Sequence, residues 1–349
     1  MQNRNKNRIE KRKSQHISIT LRKNVNFRKK SAGFEFYDFD HNALPEINEN
    51  EINTEVIFLN KKLNLPFMIS GMTGGFSKAE DINRNLAILC EEKQIAMGVG
   101  SQRQTLDSND FIHTFKVVRK FAPTIPVIGN IGAVEIAQLK SESPIQKLIE
   151  MIKADAIAIH LNPLQEFLQP EGNTNFKGVQ KGIELLVKKL DVPVIVKEVG
   201  SGISYNVAKR LFDSGVKIID TAGAGGTSWA GIEILRRNDN SLANAFWDWG
   251  IPTTESILNI KKVSHKIFII ASGGIRSGID MAKSIALGAS LTAAAAPMIK
   301  ALNSGGVKSL VQLLQLWETE LRGVMFLIGA KNIQELKKVE LKKSSHYEE

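Results

Sequence analysis

Residues 160–166 read HLNPLQE, which sets His160, Asn162, Gln165 and Glu166 within seven positions. One carboxylate among amides suits Mg2+, which keeps most of its waters and takes one or two protein carboxylates beside substrate phosphates. His160 is a candidate acid or base, although a histidine at a strand end serves as often as a structural hydrogen-bonder. The stretch lacks the several His or Cys that zinc requires. No G-x-S-x-G elbow occurs, and the single cysteine, Cys90, falls in a helical pattern, so covalent catalysis has no good candidate.

Other segments suit an anion. PVIVK ends in Lys197, and a lysine after four apolar residues has no place in a packed core unless paired. It is expected to face a binding site and set positive charge beside an anionic ring or cofactor. In ASGGIRSG, Gly273 and Gly274 precede Ile275, Arg276 and Ser277 at the start of a helical stretch. Glycines let backbone approach an anion, and helix N-terminal amides satisfy phosphate oxygens. The same residues would also make a plain tight turn. DTAGAGGTSW (220–229) adds Thr227 and Ser228 to a glycine-rich loop. MISGMTGG presents Met72, Thr73 and Gly74 on exposed backbone that suits a flat aromatic ligand, MGVGSQR supplies Ser101, Gln102 and Arg103, and PVIGNIG supplies Asn130.

Each of these groups ends a short apolar run. The runs are 66–70, 95–100, 126–132, 155–162, 193–200, 216–223, 266–274 and 289–296, eight in all. Near-continuous apolar character predicts strands covered on both faces, and helical periodicity between them predicts a parallel sheet. Eight such units fit a closed (β/α)8 TIM barrel, whose active sites lie at the C-terminal ends of the strands. Two long polar insertions follow the fourth and sixth strands, where loops of that length are usually functional. Residues 1–60 are expected to form a basic N-terminal arm and lead-in, and 61–349 the barrel with C-terminal helices as cover. The first 30 residues show no clear amphipathic pattern.

The chain has 349 residues, 43% hydrophobic and 23% charged, enough to bury a large core. Its net charge of +10 lies wholly in residues 1–30, which hold eleven Lys or Arg against Glu10. Excess charge on one arm rather than one face argues against a nucleic-acid partner. It fits either a solvated terminus or a segment that folds over an anionic ligand. No apolar run is long enough for a membrane span, no secretory signal is apparent, and the lone cysteine suits a reducing cytoplasm.

Taken together, RKSQH (12–16), MTGG, GSQR, HLNPLQE, VIVKEVGSGIS, AGAGGTSW and SGGIRSG resemble the type 2, FMN-dependent isopentenyl-diphosphate isomerases from about Lys11 to the end of the barrel. The pair HLNPLQE and R-K-x-x-H carries most of the specificity, because glycine-rich pieces recur across FMN barrels. The resemblance implies interconversion of isopentenyl and dimethylallyl diphosphate with FMN, Mg2+ and NADPH. The nucleotide keeps the flavin reduced, and the flavin moves the proton. It further implies that Arg12 and Lys13 bind the diphosphate with His16 nearby, and that Ser101, Gln102, Arg103 and Gln165 line the substrate. Glu166 would hold Mg2+. FMN would rest on Met72, Thr73, Gly74, Ser101, Asn130, Lys197, Thr227, Gly273, Gly274, Ile275, Arg276, Ala295 and Ala296, and His160 and Gln165 stand as catalytic candidates. The family usually has a glycine in the strand-eight segment, where this chain reads TAAAAP; alanine still offers the backbone N–H. The family pattern and the apolar helices after residue 305 imply a homo-oligomer, dimer-based, tetrameric or octameric.

A 2-hydroxy-acid oxidase-like enzyme is the competing reading, since it shares the SGGIRSG-type loop. That chemistry needs a histidine base with a neighbouring arginine after the sixth or seventh strand, and DTAGAGGTSWAG has no histidine.

Overall fold

A computed structural model describes residues 2–236 and 244–344. Eight parallel strands close into a barrel: β1 (Phe67–Ile69), β2 (Ala96–Gly98), β3 (Val127–Gly132), β4 (Ala156–His160), β5 (Val194–Lys197), β6 (Ile218–Asp220), β7 (Phe268–Ser272) and β8 (Leu291–Ala294). Each lies within one of the eight apolar runs. Nearly every strand residue is buried, as expected of strands packed inside against the barrel core and outside against helices. β8 pairs with β1 through Thr292↔Phe67 and closes the ring.

Most of the helices bury an apolar stripe in an outer core. The helices include α1 (Gln2–Arg22), α2 (Ala79–Lys93), α3 (His113–Phe121), α4 (Ser143–Ile152), α5 (Pro163–Leu168), α6 (Val179–Lys189), α7 (Tyr205–Asp213), α8 (Trp229–Arg236), α9 (Thr253–Val263), α10 (Gly278–Leu287) and α11 (Ala296–Ile328). α11 turns at Gly305 and Gly306, whose dihedrals are not helical. Beyond that turn Leu310, Leu314, Trp317, Leu321 and Met325 recur every three or four residues and are buried. They seat the helix against α10 and α2. The segment after residue 305 is therefore mainly the eighth barrel helix, and it covers the barrel as expected. Leu316 and Leu327 on its other face are exposed. No helix among the described residues is long and apolar enough to cross a membrane.

The two ends of the barrel are built differently. At the N-terminal end, a hairpin of Val56–Phe58 and Lys61–Leu63 inserts Phe58 and Leu63 beneath Met68, Ile218 and Ile270. Phe58 stacks on Phe268 at 5.2 Å. At the C-terminal end the N-terminal segment folds over the mouth. α1 packs against α8 and α11, with Ile17 buried beside Phe76, Ala79 and Ile299. The chain then runs along the glycine-rich loop after β6, with Phe27 N donating to Gly226 O at 3.2 Å and Ser228 N to Val25 O at 2.7 Å. The predicted insertion between β6 and β7 contains α8 and a loop around Trp247 and Asp248; its residues 237–243 lie outside the described part. Arg28 lies over the Trp247 ring at 3.5 Å, and its backbone N–H donates to Asp248 at 2.7 Å.

Candidate active site

A cavity of about 560 Å3 occupies the C-terminal mouth of the barrel beneath α1. Barrel register supplies its floor. Neighbouring residues of parallel strands face alike, and His160 lies opposite Lys197, Lys197 opposite Asp220, and Ser272 opposite Ala293.

One flank is suited to a phosphate. Gly273, Gly274, Ile275 and Arg276 follow β7, and Ala295 and Ala296 follow the adjacent β8 and open α11; all line the cavity. Gly273 has φ of +95°, and a β-carbon there would lie 2.1 Å from Gly223 O, so only glycine fits the turn. The N-terminus of α11 adds the positive end of the helical segment that precedes the turn at Gly305. Arg276 is oriented by Asn26 Oδ1 at 3.1 Å and Gly225 O at 3.3 Å, beside Gly226 and Thr227. Met72, Gly74, Ser101, Asn130 and Lys197 continue the wall. Buried Ser70 Oγ, on the same wall, has no hydrogen-bond partner. A phosphate-accepting turn joined to a flat, glycine-rich wall with a spare hydroxyl fits the FMN that the resemblance implies.

Lys197 sits at the bottom of this wall with its Nζ 2.8 Å from Glu198 O. Burial pulls its pKa below the ordinary value, while Asp220 and Glu198 favour the ammonium. Glu198 is itself pushed up to about 7 by burial, despite N–H donors from Val199, Gly200 and Ser201. His160 donates through Nδ1 to Asn130 Oδ1 at 2.8 Å, a direction set by Asn130 Nδ2, which donates to Val99 O at 3.0 Å. Burial and the cations Lys197, Arg12 and Lys13 lower His160 to about 3. It is thus neutral near pH 7, with Nε2 as an acceptor.

The opposite flank gathers cations. Arg12, Lys13 and His16 come from α1, and Arg103 from the loop after β2. Lys13 Nζ donates to Ser101 O at 2.9 Å and lies 5.5 Å from the Phe115 ring centroid. Burial, with Arg12 and Arg103 adding repulsion, lowers its pKa to about 7. Arg103 pairs with Glu135 at 3.0 Å. Arg12 is 4.0 Å from Glu171, which Arg236 also reaches at 2.8 Å. Arg236 in turn pairs with Glu233, whose Oε1 is 2.8 Å from His16 Nε2. The His16 ring meets Trp229 edge-on at 5.1 Å.

Glu166 and Gln165, from α5, border these cations. The Glu166 carboxylate accepts from Asn162 Nδ2 at 2.9 Å, Gln169 Nε2 at 2.7 Å and Asn173 N at 2.7 Å. Among the described residues no group of three or more His, Cys, Asp or Glu could hold a metal. One carboxylate beside amide oxygens fits a hard cation that keeps its waters and shares a substrate phosphate.

Two expected residues are not brought to the cavity wall. Gln102 is fully buried, with Nε2 donating to Leu148 O at 3.0 Å and Oε1 accepting from Asn130 N at 2.8 Å. Its side chain supports Asn130 and is absent from the cavity wall. Thr73 turns its hydroxyl to Asn83, away from the cavity. Conversely, sequence reading gave no role to Glu135, Glu171, Trp229, Glu233, Arg236 or Gln104. The one available signal was Glu233 and Arg236, three apart in an otherwise apolar helix.

A family model described as FMN-dependent dehydrogenase matches residues 142–343. An isopentenyl-diphosphate delta-isomerase of Chlorobium phaeobacteroides is 46% identical, covering 94% of this chain and 93% of its own. Those of Rickettsia africae (46%, 95% and 97%) and Pseudescherichia vulneris (42%, 96% and 97%) are similar over nearly their full length. Among solved structures, a mandelate oxidase variant with an FMN adduct matches with a TM-score of 0.62 at 19% identity, covering 90% of each chain. A lactate oxidase of Pediococcus acidilactici gives 0.65 at 18%, covering 95% and 87%. At such identities these two establish the barrel fold alone.

Proposed function

The chain belongs to the isopentenyl-diphosphate delta-isomerases, within the wider FMN-dependent dehydrogenase family, and from that premise we propose that it interconverts isopentenyl and dimethylallyl diphosphate at the barrel mouth, with NADPH keeping FMN reduced and Mg2+ on the diphosphate. The observation that carries the reading is the meeting of Arg12, Lys13 and Arg103 with a phosphate-suited glycine turn in one cavity. Two anionic groups can then be held at once, the cofactor's phosphate near Gly273–Arg276 and the substrate's diphosphate under α1.

In this reading Arg12, Lys13 and Arg103 neutralise the diphosphate, while Ser101 and Gln165 line the substrate. Glu171, Glu233 and Arg236 fix the approach of Arg12 and His16 to the mouth. Glu166 takes Mg2+ through a carboxylate already oriented by Asn162, Gln169 and the Asn173 amide. Lys197, Asn130 and Ser101 hold the flavin ring. His160, neutral and tied to Asn130, borders the reacting end as a fixed wall and holds no proton to deliver near pH 7. Gln165 cannot transfer one either. Reduced FMN supplies the acid–base chemistry of the allylic shift. α1 and Trp229 exclude water, which would otherwise compete for an allylic proton. Exposed Leu316, Leu327 and Trp249 support a homo-oligomer.

Incubation with isopentenyl diphosphate, FMN, Mg2+ and NADPH is expected to yield dimethylallyl diphosphate without stoichiometric NADPH oxidation. Oxidation matching product would overturn the isomerase reading in favour of a reductase. Glu166→Gln is expected to raise the Mg2+ requirement at least about tenfold while leaving flavin bound. Loss of flavin with unchanged metal dependence would remove Glu166 from the metal.

A further inference from the structure

Gln104 begins the short helix Gln104–Asp107 just after the GSQR segment and borders the cavity. It is 4% exposed, and neither Nε2 nor Oε1 has a hydrogen-bond partner among the described residues. A carboxamide brings two donors and an acceptor with two lone pairs, and native proteins rarely leave such groups buried and unpaired. An apolar side chain of the same volume would fill this space without that penalty. The amide is therefore out of place as packing.

Its surroundings indicate what it could pair with. A β-carbon on Gly75 would lie 2.3 Å from Lys13 Nζ and 2.6 Å from Gln104 Oε1, so ammonium and amide flank the same glycine. Lys13 makes one hydrogen bond, to Ser101 O, and its other N–H groups have no partner among the described residues. Buried Asn162 Oδ1 and Ser70 Oγ, which border the same cavity, are also unpaired. Spare polar capacity is concentrated where a polar ligand would sit.

We propose that Gln104 is a further substrate-binding residue, whose Nε2 donates to a diphosphate oxygen held by Arg12 and Lys13 while its Oε1 accepts from the Lys13 ammonium. The inference rests on the diphosphate reading above. It also gives Gln104 a part in specificity: a diphosphate spreads its oxygens over two phosphorus centres and so reaches farther among Arg12, Lys13, Arg103 and the amide than a monophosphate does.

Gln104→Leu keeps the volume and removes the polar atoms. It is expected to raise KM for isopentenyl diphosphate about tenfold, with kcat within about twofold. Inhibition by inorganic pyrophosphate should weaken by the same factor and inhibition by orthophosphate should barely change. Gln104→Glu sets a carboxylate beside the diphosphate and its Lys13 ammonium, and is expected to raise KM beyond the leucine variant. Unchanged KM and pyrophosphate inhibition in both variants, at full flavin content, would overturn the proposal. Should the wild-type protein convert no isopentenyl diphosphate, the reading beneath fails. Calorimetric binding of pyrophosphate to wild type and Gln104→Leu still decides the contact.

Discussion

Both ends of the barrel collect cations and carboxylates, yet they treat them in opposite ways. At the N-terminal end Arg119 donates to Ala122 O at 2.9 Å, Ile125 O at 3.0 Å, Lys153 O at 2.8 Å and Asp155 at 2.7 Å. Asp155 also takes Lys61 at 2.6 Å and Val127 N at 2.8 Å. Of this cluster only Arg119 Nε lacks a partner. At the C-terminal end, among the described residues, the Lys13 side chain has a single hydrogen bond, the Gln104 side chain has none, and Asn162 Oδ1 is unpaired. Polar groups whose bonds are closed within the chain hold the fold, and those left open await a ligand. The same residue types do both, so the difference lies in satisfaction rather than composition.

The largest effect expected from this contrast is on Lys13→Ala. Removing one charge from the substrate clamp should lower kcat/KM by about a thousandfold, or ~4 kcal/mol. The thermal midpoint should hold or rise, because a desolvated cation is lost with little to replace. A fall in midpoint with an unchanged KM would make Lys13 a structural residue like Arg119. Next comes Asp155→Ala, which strands two cations at the closed end. Stability should drop by roughly 3 kcal/mol in urea titration, while kcat/KM at 25 °C stays within about twofold. The smallest effect is on pH. Lys13, lowered to about 7, carries its charge below that pH and loses it above. The kcat/KM for isopentenyl diphosphate should therefore fall about tenfold per pH unit above 7. Lys13→Arg should flatten that limb, and a limb that survives in the arginine variant belongs to another group. His160, lowered to about 3, adds none near neutrality.

The closed barrel could be read from the chain because its signal is local: each strand announces itself as an uninterrupted apolar run, as 126–132 does for β3. The glycine turn proposed to take a phosphate was legible for the same reason, since Gly273 and Gly274 sit between a strand and a helix. α1 was not, because the face it buries carries Arg12, Lys13 and His16 instead of an apolar stripe. Its partners Glu171, Glu233 and Arg236 lie far along the chain, and Glu233 looks like any helix glutamate until the barrel closes. Gln102 and Gln104 show the limit of a motif. Two glutamines two residues apart take opposite roles, one supporting Asn130 from below and one left unpaired at the cavity, and residue type alone does not give that direction.

The strap formed by residues 12–33 has a consequence for how the enzyme comes into being. Its docking partners, Glu171, the 223–228 loop, Glu233, Arg236, Trp247 and Arg276, are all synthesised after it. Such long-range contacts close late in folding. A segment translated ahead of its partners is thus seated after them, and the proposed diphosphate clamp cannot form until the barrel is nearly whole. A partly folded chain, lacking those contacts, would have little means of holding a diphosphate.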